Sequence, residues 1–206
     1  TAGAMDLDEF TAHMQNDIHP HRVVIDCSQS NNVANYYEQW LTSGIHVIGM
    51  NKLVGAGPAE RYEAVMEAVG SKASQWLNEC TVGAALPVIY TLKDLQQTGD
   101  VINLVQGTWS GSLSYVLKNA EKEPFSQAVE KAINLGFTES DPRHDLAGLD
   151  VARKVATIAR EAGMKMELAD VEVESLVPEE LQEEVDAIKG TREEVRSKFV
   201  EVLKKM

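Results

Sequence analysis

Cysteine is scarce in this chain: 206 residues contain two, Cys27 and Cys80, with no Cys-x-x-Cys and no paired histidines beside them. That scarcity excludes a disulfide scaffold and a cysteine-based zinc site, and it fits a reducing compartment. Also missing is any apolar run near the ~18–20 residues that a helix needs to cross a bilayer. The opening stretch has no basic segment followed by an apolar one, so it does not read as a signal peptide, and Thr1-Ala2-Gly3-Ala4 reads as an expression scar. Positive charge is short as well, with 19 Lys and Arg against 32 Asp and Glu, a formal net charge of −13. Nucleic acid and anionic membrane are excluded as partners on that count, because each requires a positive surface. A small anionic ligand stays open, since a helix N-terminus or a single lysine can hold phosphate against the global field. What is present, 44% hydrophobic and 25% charged residues, describes a soluble, acidic, cytoplasmic globular protein.

One further absence is more specific. A dinucleotide-binding sheet normally opens with a strand, a G-x-G-x-x-G loop and a helix, and the sequence carries no such opening. The nearest imitation, Gly55-Ala56-Gly57-Pro58-Ala59-Glu60, has Glu60 in place of the third glycine and loses an amide at Pro58, so it reads as an ordinary connection. Around it the pattern predicts strands over residues 21–27 and 46–50 and helices over 33–41 and 59–69. Residues 28–32 supply cap residues for the first helix. Strand–helix–strand–helix implies a parallel sheet with right-handed crossovers, hence an α/β class. Downstream the expectations are strands over 76–82, 101–105 and 171–176, and helices over 87–97, 112–119 and 126–134. A strong helix from Asp145 or Gly148 through Glu161 and a charged, helical 179–206 complete the reading.

The densest polar cluster runs from Thr138 to Lys154, with three carboxylates and His144 on a loop, then Asp150 and Lys154 one turn apart on the following helix. At i, i+4 those two side chains are neighbours. A desolvated lysine beside an aspartate can pass a proton to an alkoxide. The plain alternative is a solvent-exposed ion pair worth a few tenths of a kcal/mol. Periodicity favours that alternative: Leu149, Ala152, Val155, Ala156 and Ala159 mark an apolar face, with Asp150, Arg153, Lys154 and Thr157 in a polar arc. Asp141 and Asp145 read equally well as turn and cap residues.

The run from Glu139 to Lys154 closely resembles the signature E-x-D-P-x-x-D-L-x-G-x-D-x-A-x-K of homoserine dehydrogenases. Companion segments follow the same order. Residues 24–30 resemble the strand and loop flanking the nicotinamide, Asn51-Lys52 the N-K after the next strand, residues 79–87 the V-G-x-G-x-P segment, and residues 107–115 the G-x-x-S-G-S/T-L helix start. Residues 167–178 look most like the dehydrogenase half of bifunctional aspartokinase–homoserine dehydrogenases.

The resemblance implies a partial Rossmann-type parallel sheet followed by an α+β substrate-binding and dimerisation domain. The expected division is residues 1–75 for the nucleotide-binding part, 76–180 for the catalytic part and 181–206 for a charged helical tail. It implies NAD- or NADP-dependent interconversion of L-homoserine and L-aspartate 4-semialdehyde, in threonine and methionine biosynthesis. Lys154 would be the proton donor, with Lys52 as the second lysine. Glu139, Asp150, Thr81 and Gly107 would bind substrate, and Ser28, Ser30, Lys52 and Gly83 the cofactor. The helix near Ser112 would present amides to the substrate carboxylate. Glu79 with the carbonyls of Val82, Ala84 and Leu86 would hold a monovalent cation, sodium. A homodimer and a cytoplasmic setting, or a plastid in a plant, are also implied.

The sequence departs from the pattern at Ala85 (usually glycine), His144 (commonly aspartate), Leu53 (often lysine) and Trp109 (often aliphatic). Two alternatives accompany the reading. One is a truncated or degenerate module that folds and dimerises without turnover; the other is a dehydrogenase of a related semialdehyde.

Overall fold

The computed structural model describes residues 5–16, 18–71 and 74–206, so the expectation for residues 1–4 lies outside the described residues. Two units divide the chain. The first takes residues up to Asn103 together with Arg153–Val171; the second takes Leu104–Ala152 and Glu172–Met206. These cuts differ from the boundaries expected at 75 and 180, because residues 76–103 and 153–171 fall in the first unit.

In the first unit, helix α1 (Leu7–Met14) precedes strand β1 (Val23–Asp26), α2 (Asn31–Ala34), α3 (Tyr37–Thr42), β2 (His46–Gly49), α4 (Lys52–Gly55), α5 (Ala59–Ser71) and β3 (Trp76–Leu77). A 3₁₀ turn (Glu79–Thr81) and α6 (Val88–Gln97) follow. The strands lie in the order β1-β2-β3, parallel throughout, with Val24 opposite Val47 and Val47 opposite Trp76. This is the expected α/β arrangement. One face of the sheet is closed by Val24 and Val47, packed with Tyr37, Trp40, Leu41, Ile45, Val54, Val65 and Trp76. Burying a side chain of this kind contributes roughly 1.5–3 kcal/mol. Val23 and Ile25, on the alternate positions, are exposed.

Helix α1 was not expected. Asp6 caps it, accepting the amides of Asp8 at 2.9 Å and Glu9 at 3.1 Å. Phe10 and Met14 pack against the core, and the buried Thr11 hydroxyl accepts the Trp40 indole N–H at 2.8 Å. The helix expected over 33–41 is split where the Tyr36 amide bonds Val33, three residues back, and tightens one turn. The strand expected over 76–82 stops at Leu77, because residues 79–81 turn to cap α6.

The second unit is helical: α7 (Gly111–Ala120), α8 (Phe125–Asn134), α9 (Arg143–Leu146), α11 (Glu179–Asp186) and α12 (Arg192–Leu203). Helix α10 (Leu149–Glu161) begins in this unit, and its remainder, from Arg153, belongs to the first. Gly148, at φ 74°, separates α9 from α10; a side chain there would meet Val173 Cγ1 at 2.6 Å. Residues 181–206 are more than a charged tail. Val195, Phe199, Val200, Val202 and Leu203 join Val116, Val129, Ala132 and Ile133 in the core of this unit.

The strands expected over 101–105 and 171–176 do not form: among the described residues neither stretch pairs in a ladder, and Val101, Leu104 and Val173 are exposed. Alternation supplies a face, and a strand also needs a neighbour to take its backbone hydrogen bonds.

Candidate active site

The candidate cofactor residues of the first unit follow from where its strands end. Asp26 closes β1 and is 5% exposed. One carboxylate oxygen accepts the Ser28 amide at 2.7 Å; the other accepts the Tyr37 hydroxyl at 2.8 Å and the Asn51 amide nitrogen at 3.0 Å. Burial pushes this carboxyl up, but the donors on Ser28, Asn51 and Tyr37 outweigh it and hold Asp26 below the ordinary carboxylate value. Burial and the Asp26 charge push the Tyr37 phenol well up. Gly49 is required beneath it, since a Cβ there would overlap the Tyr37 hydroxyl.

Asn51 extends the network to the next strand end. It donates to the Ser30 carbonyl at 3.0 Å, and its own side-chain oxygen caps α4 by accepting the Leu53 amide at 3.1 Å. Lys52, half-buried, is the first residue of α4. Ser30 in turn caps α2, accepting the Val33 amide at 3.4 Å. Ser28, Ser30 and Lys52 therefore all follow the carboxyl ends of parallel strands. Open α/β sheets bind their ligands outside that edge.

After β3 comes the loop of the proposed cation ligands. Glu79 spends its two oxygens on the end of α6, accepting Ile89 N–H at 2.9 Å and Tyr90 N–H at 2.8 Å. Gly83 (φ 77°) and Ala84 (φ 53°) are both left-handed, and Ala84 is the sole non-glycine with positive φ among the described residues. The left-handed conformation costs a residue with a Cβ about 1–2 kcal/mol. The departure noted at Ala85 therefore carries no such strain; its neighbour does. A carboxylate and backbone carbonyls are oxygen donors of the kind a hard monovalent ion takes; here each Glu79 oxygen already accepts an α6 amide, and the Leu86 carbonyl accepts the Val88 amide at 2.9 Å. Thr81 is buried, its hydroxyl donating to the Asn78 carbonyl at 2.7 Å.

Helix α10 overturns the expected polar arc. Asp150 and Thr157 are 4% and 0% exposed, while Leu149, Val155 and Ala159 are only half-buried. Arg160 and Glu161, near its end, are also buried. Glu161 accepts Asn78 Nδ2 at 2.7 Å and pairs with Lys93 at 3.4 Å. A helix that buries its polar residues is held by specific partners, since an unpaired buried charge is costly. Lys154 lies on this helix, half-buried and within the first unit.

In the second unit Asp145 ties the signature together. It is 3% exposed and accepts the Ser112 hydroxyl at 2.6 Å and the Glu139 amide at 2.9 Å. Burial, with the charges of Asp150 and Glu139 adding to it, raises its pKa against those two donors. Asp145 is thus a buried anchor, where the sequence offered a turn or cap residue. Ser110 caps α7 by accepting Leu113 N–H at 3.1 Å, which fixes the helix start expected near Ser112. Asp141 chelates the Arg143 guanidinium at 2.6 Å. His144 lies in α9 and not in a loop. Glu139 is half-buried, and exposed Gly107 faces Trp109, whose ring lies 3.2 Å from where its Cβ would be. Sequence reasoning singled out neither Asp26 nor Tyr37; the signal was a charged residue ending an apolar strand.

A parallel α/β sheet with polar residues gathered past its carboxyl edge places the first unit in the class of open α/β folds, which bind ligands at that edge. Residues 87–204 match the family model described as homoserine dehydrogenase, and residues 1–79 match the homoserine dehydrogenase NAD-binding domain. The chain belongs to the homoserine dehydrogenase family, a family of oxidoreductases. It is 46% identical over 178 residues to a maize chloroplastic bifunctional aspartokinase/homoserine dehydrogenase, covering 85% of this chain and 19% of that relative. It thus spans about one-fifth of the curated relatives it matches. Among solved structures, a Candida auris protein of unknown function superposes with TM-score 0.79 at 31% identity, covering 99% of this chain and 57% of that one. A putative homoserine dehydrogenase from Archaeoglobus fulgidus gives TM-score 0.66 at 28% identity, covering 85% and 59%. Among the described residues no helix is long and apolar enough to cross a membrane.

Proposed function

We propose that this chain carries out NAD- or NADP-dependent interconversion of L-homoserine and L-aspartate 4-semialdehyde, within threonine and methionine biosynthesis. The observation that carries the reading is the placement of Ser28, Ser30 and Lys52 after the carboxyl ends of β1 and β2, in a chain that matches the family's NAD-binding and catalytic models. When bound, the nicotinamide supplies the hydride donor or acceptor. Ser28, Ser30, Lys52 and Gly83 hold the cofactor in this reading. Glu139 and Asp150 hold the substrate ammonium and hydroxyl, with Thr81 and Gly107 completing the contacts, and amides at the start of α7 face its carboxylate. The Lys154 ammonium gives its proton to the carbonyl oxygen as the alkoxide forms, and the neutral amine takes the hydroxyl proton in the reverse direction. Lys52 orients the substrate or the nicotinamide end. Glu79, with the carbonyls of Val82, Ala84 and Leu86, would hold a sodium ion that stiffens the left-handed loop. The protein acts as a homodimer in the cytoplasm or a plastid.

The test is spectrophotometric. The chain is given L-homoserine with NAD⁺ or NADP⁺ at alkaline pH, and reduced cofactor is followed; the ratio of the two rates assigns the cofactor. Turnover supports the reading. Absence of both turnover and dinucleotide binding in a folded sample contradicts it and favours a module that folds without catalysis. Light scattering of the same sample tests the dimer.

A further inference from the structure

The two candidate lysines sit on separate elements of the first unit: Lys52 opens α4, and Lys154 lies on α10. Helix α4 is one turn long, too short to be stable by itself, so its direction is set by whatever satisfies its end. Arg61 donates to the Leu53 carbonyl. Arg160, on α10, donates through Nη1 to the carbonyls of Gly55 at 2.9 Å and Gly57 at 2.7 Å. Its Nε and Nη2 bond the Met166 carbonyl at 3.0 and 2.8 Å, and Nη2 reaches Glu167 at 3.4 Å. The guanidinium lies 5.4 Å from the centre of the Tyr62 ring, and the residue is 5% exposed. These carbonyls also dispose of the phosphate-loop imitation at residues 55–60, because a phosphate cradle presents amides.

A second contact joins the same two helices. A Cβ on Gly55 would fall 2.9 Å from both Oγ1 and Cγ2 of Thr157, nearer than real side chains come, and Thr157 is fully buried. Helix α4 therefore meets α10 backbone to side chain at one point and carbonyl to guanidinium at another. Gly55 is three residues from Lys52; Thr157 and Arg160 are three and six residues from Lys154.

We infer that Arg160 is a positioning residue, which with the Gly55–Thr157 contact locks α4 against α10 and so sets the relative placement of Lys52 and Lys154. The inference rests on the proposed function for what the two lysines do, but the lock itself is a property of this chain. Arg160 bonds the carbonyls of Gly55 and Gly57, which belong to α4 and the loop after it. Its effect is exerted on the backbone that carries the two lysines, where a shift of about 1 Å can cost on the order of a hundredfold in rate.

The experiment uses the full chain with four changes: Gly55→Ala, Gly55→Ala with Thr157→Ala, Arg160→Lys and Arg160→Gln. Each is measured for kcat and KM with L-homoserine, for melting temperature, and for the acetylation rates of Lys52 and Lys154 by mass spectrometry. Gly55→Ala is expected to lower kcat by about tenfold or more while KM and folding change little. Thr157→Ala in that background removes the two clashing atoms and restores most of the loss. Arg160→Gln should alter the labelling of both lysines, and Arg160→Lys, which keeps the charge but not the fork, should not rescue it. A double variant as impaired as Gly55→Ala, or unchanged labelling in a folded Arg160→Gln chain, overturns the inference. If the unaltered chain shows no turnover, the functional reading has failed, and the labelling rates alone decide the lock. If Gly55→Ala does not fold, the two Arg160 variants decide it in the same way.

Discussion

Replacing Tyr37 by phenylalanine removes one oxygen from the interior and tests the electrostatics of the first strand end. Tyr37 is fully buried, so the ring stays and only its 2.8 Å bond to Asp26 is lost. Asp26 is then left with Asn51 on that oxygen and Ser28 on the other. A hydrogen bond to a buried charge is worth about 1.5–3 kcal/mol, so a loss of about 2 kcal/mol is expected near neutral pH, or roughly 4–8 °C in melting temperature for a chain of this size. The sign of the pH dependence follows from Asp26 lying below its ordinary value. Such a carboxylate stabilises fully above its unfolded pKa, and the contribution is lost as pH falls through the folded value. The difference between Tyr37→Phe and the unaltered protein should therefore shrink as pH falls below about 4. Urea titration followed by tryptophan fluorescence reads it, since Trp40 and Trp76 lie 5.8 and 6.2 Å from the Tyr37 ring. A difference that persists unchanged at low pH, or one that is absent near neutrality, would refute the reasoning.

Ala84→Gly should stabilise the chain by about 0.5–1 kcal/mol in a denaturant titration, because relief of the left-handed strain exceeds the extra unfolded-state entropy of glycine. Phe199→Ala opens a cavity in the second unit and should cost about 3–5 kcal/mol, read as lost amide protection in α8 and α12 by hydrogen exchange. Ser112→Ala removes a donor to Asp145, so Asp145, already raised, should titrate higher still. Its penalty is largest above the folded pKa and is relieved as pH falls through it, which a melting series across acid pH would resolve.

The parallel sheet was legible because Val24, Ile25 and Val47, Ile48 form short β-branched runs between turn residues, and the ends of β1 and β2 fell within a residue or two of expectation. What local pattern could not reveal depends on partners distant in sequence. Residues 171–176 alternate like a strand but find no ladder. Asp150 and Thr157 sit at polar positions by periodicity, yet both are buried, because α10 is held through Arg160 and Glu161 by backbone and side chains some 80 to 105 residues away. Helix α1 did leave a local trace, since Asp6 followed by Glu9 is an N-terminal cap pattern. The Glu139-to-Lys154 run identified the family, but only the fold shows Asp145 as its internal anchor.

The most direct test of the central claim, that this chain houses a homoserine dehydrogenase centre, is the turnover of L-homoserine by the Lys154→Ala chain beside the unaltered one. If Lys154 moves the proton, kcat falls by about 10²–10⁴-fold while the melting temperature holds. Equal turnover in the two chains would contradict the assignment.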